Sequence, residues 1–147
     1  MSSYFDTNQI SRGSFAEFER EITEEDILSF ARNSGDWNPI HVDTGYVLSR
    51  NNRGRIVHGA FQVGLASAML GMRLPGNNVL MGSINSRFME PLFFPCRVRV
   101  LGEITSWNPE NLWGRLKHRT WATGAHRAMG YGLDGLRSRA AFEFMFP

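Results

Sequence analysis

A single cysteine, Cys96, in 147 residues leaves this chain no internal disulfide and no multi-cysteine metal site. That is the pattern of a protein kept in a reducing cytoplasm, with Cys96 serving as a small buried hydrophobe. Strong charge of either sign is also missing: 16 basic against 14 acidic residues give a formal net charge of +2. The sequence pI of about 9.1 therefore sits on a shallow balance and does not call for a nucleic-acid partner. The longest basic clustering, Arg50, Arg53 and Arg55, has no interleaved aromatics and reads as a solvated face. No apolar run approaches the roughly 20 residues of a membrane helix. The first fifteen residues lack the basic patch and apolar stretch of a secretory signal. Repeats, low-complexity tracts and interior linkers are absent too, so residues 1–147 read as one domain, long enough to bury a core.

What is present is an ordered series of elements. Residues 15–22 alternate loosely as a first strand. Thr23-Glu24-Glu25-Asp26 has the form of a capping box, with acids at the positive end of a helix dipole. Ile27, Phe30 and Ala31 follow at helical spacing, Asn33-Ser34-Gly35 closes the helix, and Pro39 bars its continuation. The decapeptide 34–43, SGDWNPIHVD, is then a loop leaving a helix, and residues 44–57 are irregular and polar with a turn at Asn51-Asn52-Arg53-Gly54.

Residues 58–73 form the second helix. Between Ala60 and Leu70 only Gln62 and Ser67 are polar, and a helix apolar on every side has to be buried. Pro75-Gly76 ends that segment. Strand character takes over at 79–88, at the alternating Arg97-Val98-Arg99-Val100, at 112–121 and at 137–146, where Phe142, Phe144 and Phe146 share one face. The glycine-rich stretch 123–135 is a mobile loop or an irregular hairpin. One central helix and a set of antiparallel strands make an α+β chain.

Two segments carry chemistry. Asp36 and His41 stand five residues apart with Pro39 between them, so a bend would aim both at one point. A carboxylate and an imidazole sharing a water can polarise it and pass its protons, with Asn38 orienting either group. The competing reading is a helix cap in which Asp36 and Asn38 form turns and His41 is merely hydrogen-bonded. The second segment, Ile56-Val57-His58-Gly59-Ala60, enters the buried helix. Free N–H groups there suit an oxyanion, Gly59 admits a ligand close to the backbone, and His58 caps, packs or meets substrate. His41, Asp43 and His58 supply three possible metal ligands, but no H-x-x-x-H spacing places them and no metal is expected. A G-x-S-x-G nucleophile motif and a phosphate loop are both missing.

Together these segments are more specific than either alone. A helix, S-G-D-x-N-P-I-H-x-D, about a dozen irregular residues and I-V-H-G-A before a small-residue helix resemble the MaoC-like dehydratases, and within them the (R)-specific enoyl-CoA hydratases. The resemblance runs from about Thr23 to Ile104 and includes Ser86-Arg87-Phe88-Met89-Glu90-Pro91-Leu92. It implies a hot-dog fold, a long central helix wrapped by a curved antiparallel sheet, paired into a homodimer. It further implies a lyase that needs no cofactor and acts on an acyl-CoA or acyl-carrier-protein thioester. Asp36 and His41 match the water-activating pair, Asn38 the supporting amide, Gly59 the oxyanion donor, and Ser67 and Leu70 the acyl pocket. Residues 44–57 match the overhang covering the site. Two alternatives share the scaffold: a dehydratase or isomerase of a carrier-bound tailoring intermediate, and a catalytically silent acyl-binding subunit. The chain departs from the pattern at Phe94-Pro95-Cys96, where a Gly-Asp is usual, and from Thr123 to Gly135, where the far end of an acyl tunnel would be reshaped.

Overall fold

The computed structural model describes residues 7–123 and 136–146. A short 3-10 turn, Thr7–Gln9, precedes strand β1, Phe15–Ile22. Helix α1, Glu24–Ser34, starts on the expected box: the Thr23 side chain accepts from the Asp26 N–H, and Asp26 accepts in return from the Thr23 N–H at 2.8 Å. It ends at Gly35, whose φ of 78° is left-handed and whose N–H bonds back to the Ala31 carbonyl.

Two short helices then correct the reading of 34–43 as a loop and of 44–57 as irregular. Pro39 does bar α1, but it also opens α2, Pro39–Val42, as a first-turn residue whose missing N–H costs nothing. Asp43 caps a third helix, α3, Thr44–Ser49, by accepting from the Tyr46 N–H at 2.9 Å. Asn38 was read as a turn former and Asp43 as a possible metal ligand, and the brevity of the two helices hid their periodicity.

Helix α4, Gly59–Met72, is followed by strands β2, Leu80–Phe88, β3, Cys96–Asn108, β4, Trp113–Thr123, and β5, Leu136–Met145. The five strands form one sheet in the order β1-β3-β4-β5-β2, with every neighbouring pair antiparallel. Apart from Thr123, which ends β4, the expected glycine-rich loop lies outside the described residues. Helix α4 lies across one sheet face and touches all five strands. Leu65, Met69 and Leu70 from the helix meet Val98, Val100, Ile104, Leu116, Phe142 and Phe144 from the sheet in a single core. Phe146 packs against it, so the aromatic face of β5 is the core face, and Cys96 is buried as expected. This is the hot-dog fold.

The helix is less enclosed than its composition implied. Ala60, Gly64 and Ser67 follow one another at helical spacing along a solvent-exposed stripe, and Met72 is 72% exposed. Arg55, read as part of a solvated face, is instead ion-paired to Glu24 at 2.6 Å and lies over the Phe94 ring at 4.9 Å. Arg55 thereby ties the segment before α4 to the first turn of α1.

Candidate active site

The decapeptide winds through successive local bonds. The Asp36 N–H donates to the Ser34 hydroxyl at 3.2 Å, the Asn38 N–H to Asp36 Oδ1 at 3.2 Å, and the Ile40 N–H to Asn38 Oδ1 at 3.3 Å. The turn-forming roles of Asp36 and Asn38 are therefore real, and they coexist with the placement of His41. The α2 turn brings that imidazole inward, where it is 9% exposed.

A second set of bonds fastens this loop to the entry of α4. The Ile56 N–H donates to the Ile40 carbonyl at 3.2 Å, and His41 Nδ1 lies 2.7 Å from the Ile56 carbonyl. A carbonyl only accepts, so Nδ1 carries the proton and the lone pair of His41 is at Nε2. His58 Nε2 stands 3.0 Å from the Asp36 backbone carbonyl, and by the same logic its lone pair is at Nδ1. The two imidazoles stack with centroids 3.8 Å apart and planes inclined at 29°. Phe30 of α1 closes on His58 from 4.8 Å. His58 makes no side-chain cap bond; its ring packs against His41 and Phe30.

Burial lowers the His58 pKa from its ordinary value of 6.5; the Asp36 carbonyl bond works against this and the neighbouring His41 adds to it. His58 is thus held neutral, a rigid plate beneath His41 that also grips the Asp36 backbone.

Asp36, His41 and His58 each offer one ligand atom, and these lie within 4.8 Å of one another. Asp43, considered as a ligand from sequence, is instead spent on the α3 cap. The spacing of the three would suit an ion, but the stack does not: imidazole lone pairs lie in the ring plane, and stacked rings aim them side by side rather than at one centre. A shared water is the better match to this geometry.

Beside the stack is a cavity of about 340 Å³ whose lining includes His41, Val57, Gly59, Gln62, Phe88 and Glu90. Gly59 opens α4 here, where the first N–H groups have no carbonyl one turn back to bond. A Cβ on Gly59 would sit 2.9 Å from the Phe88 ring, so glycine is what lets β2 close over the helix start. Ser67 and Leu70 do not line this cavity: Ser67 is on the exposed stripe, and Leu70 is 2% exposed in the core.

Gln62 was missed as a site residue. It is 4% exposed, one turn beyond His58, and its Oε1 has no hydrogen-bond partner among the described residues. Its signal was available, as one of two polar residues in an otherwise apolar helix.

Known proteins resemble this chain in sequence and in fold. A family model described as the MaoC like domain covers residues 7–121. A 3-hydroxybutyryl-CoA dehydratase of Methylorubrum extorquens is 36% identical over 97 residues, which span 66% of this chain and 62% of that protein. An (R)-specific enoyl-CoA hydratase of Rhodospirillum rubrum is 35% identical over 107 residues, 73% of each chain. The solved (R)-hydratase from A. caviae involved in PHA biosynthesis shares the fold with a TM-score of 0.83, over 95% of this chain and 98% of that one, at 23% identity. The Asp36–His41 loop, the Gly59 helix entry and the strand β2 that closes on it lie within residues 7–121, and the chain belongs to the MaoC-like dehydratase family.

Proposed function

We propose that this chain adds water reversibly across the 2,3-double bond of a trans-2-enoyl thioester, giving an (R)-3-hydroxyacyl thioester. The observation that carries the proposal is the convergence of the Asp36 carboxylate and the His41 imidazole beside the first turn of α4. In hydration, Asp36 and His41 hold a water; His41 Nε2, its other nitrogen bonded to Ile56, is free to take a proton from it. The oxygen bonds to C3 and a proton is returned to C2. The Gly59 N–H meets the thioester oxygen as it gains enolate charge, a contact whose loss costs roughly 3–4 kcal/mol in related sites. Asn38 sets the loop through its bond to Ile40, and His58 positions both members of the pair.

Incubation with crotonyl-CoA should bleach the absorbance of the conjugated enoyl thioester. Inactivity across short, medium and aromatic acyl groups, on both CoA and carrier protein, would overturn the assignment. Activity confined to carrier-bound substrates would move it to the tailoring alternative.

The working unit is a homodimer. Its support is the exposed stripe Ala60, Gly64 and Ser67 together with the free edge strand β2, where Leu80 is 51% and Met81 43% exposed. Ser67 then lies under the second copy and, with Leu70 behind it, borders the acyl chain as the family pattern implies. Sedimentation equilibrium should give twice the chain mass; an active monomer at micromolar concentration would refute this.

A further inference from the structure

On the sheet face turned away from α4, β4, β5 and β2 place three arginines in one cross-strand row. Arg119 is directly opposite Arg139, and Arg139 is directly opposite Arg87. In the adjacent row Lys117 and Asn85 flank Ala141, whose methyl leaves a depression between them. These six residues line a cleft of about 400 Å³.

Like charges directly opposite on paired strands, with Cβ atoms only about 5 Å apart, oppose sheet formation. Elsewhere the same face neutralises its arginines: Arg97 pairs with Glu19, Arg99 with Glu17 and Arg115 with Glu143. In the cleft only Arg119 has such a partner, Glu103 at 3.5 Å. Arg87, Arg139 and Lys117 form no ion pair among the described residues. The Nε of Arg119 is buried without a hydrogen-bond partner among the described residues. The cleft thus concentrates four cations and leaves a donor unused.

We infer that this cleft is a binding site for a phosphorylated ligand carrying two or more negative charges, of the diphosphate or phosphate-monoester class. Guanidinium groups present paired donors that match phosphate oxygens, and a bound anion would cancel the repulsion along the row. The inference is independent of the proposed reaction, because no residue of the cleft belongs to the Asp36–His41 site.

Pyrophosphate is the probe, titrated calorimetrically into the full-length protein at low ionic strength and followed in parallel by thermal melting. Wild type should bind one pyrophosphate per chain and melt higher in its presence. Arg139→Gln should weaken binding at least about ten-fold, yet melt no lower than wild type without pyrophosphate, since it removes two repulsive neighbours. Arg99→Gln removes an ion-paired arginine of the same face and should leave the affinity within about two-fold. Equal losses for the two variants would mean general attraction to a basic surface and overturn the site. So would the absence of any heat or melting shift at millimolar pyrophosphate, or binding of an acidic carrier protein without binding of pyrophosphate.

The source of the phosphate is read from KM. A rise with Arg139→Gln for crotonyl-CoA but not for crotonyl-pantetheine identifies the nucleotide end of the substrate. Unchanged values for both, with pyrophosphate still bound, identify a separate phosphorylated molecule. Either pattern upholds the cleft.

Discussion

His58 and His118 are alike in everything that burial alone controls. Each is 1% exposed, each has an Nδ1 with no hydrogen-bond partner among the described residues, and desolvation lowers the pKa of each. Their surroundings differ. His118 projects from β4 into the core, edge-on to Phe142 at 6.3 Å, with the Thr120 hydroxyl 3.2 Å from its Nε2. His58 stacks on a second imidazole and holds the backbone of a residue whose carboxylate converges on both rings. A buried, perturbed histidine is therefore not by itself a site; convergence with other chemistry is what separates the two.

The largest effect tests the convergent side. His41→Ala should lower kcat by at least about 100-fold, the scale of a positioned base. Asp36→Asn should do the same while leaving Tm nearly unchanged, because asparagine still forms the turn. The double variant should lose little more than either single one, since both groups act on one water. Steady-state hydration rates and melts on these four proteins decide the matter; additive losses would break the pairing.

Next comes the isolated side. His118 is pushed down to about 4 by burial, against an ordinary value of 6.5. Between these pH values the unfolded chain binds the proton and the folded chain does not, so acid favours unfolding. The His118 contribution is complete above about pH 6.5, is lost as pH falls and levels off below about 4, amounting to about 3 kcal/mol. His58, also lowered, adds in the same sense. Denaturant unfolding at stepped pH should show this slope, and His118→Leu should flatten it while turnover at neutral pH stays within about three-fold. An unchanged slope would remove His118 from the account.

A smaller effect separates positioning from packing at His58. His58→Phe keeps an aromatic plate under His41 but removes the donor to the Asp36 carbonyl, costing about 1 kcal/mol of stability. Its kcat should fall about ten-fold with little change in KM; a kcat equal to wild type would reduce His58 to packing. The smallest expected change is at Gln62, whose buried amide oxygen is unpartnered. Gln62→Leu should raise stability by about 1 kcal/mol in chemical unfolding, as an unsatisfied polar group is removed at nearly constant volume. A loss of that size would mean the amide is hydrogen-bonded in solution.

Much of this was legible in the sequence because it is local. The Thr23–Asp26 box, the Gly35 stop and the small-residue helix from 59 depend on residues within one or two turns of each other. The α2 and α3 helices were not legible as helices, since 4 and 6 residues show no periodicity. Asp36, Asn38 and His41 stood out by chemistry. The part of His58 did not, because its partner carbonyl at Asp36 is 22 positions away. Arg55 was misjudged for the same reason: its carboxylate, Glu24, is 31 positions distant.

The sequence by itself determined the types of the longer elements, the cap and stop of the first helix and the family pattern in 34–43 and 56–60, because propensity, capping and spacing act over a few residues. Only the tertiary structure decided that His41 stacks on His58, that Phe88 closes over Gly59, and that three arginines from three strands share one row. Those facts depend on how the strands are ordered and registered, and on which carbonyl a ring nitrogen reaches across 15 or 22 residues. Side chains brought together by long-range pairing carry no signature in local periodicity, because the free energy that aligns them is that of closing the whole core.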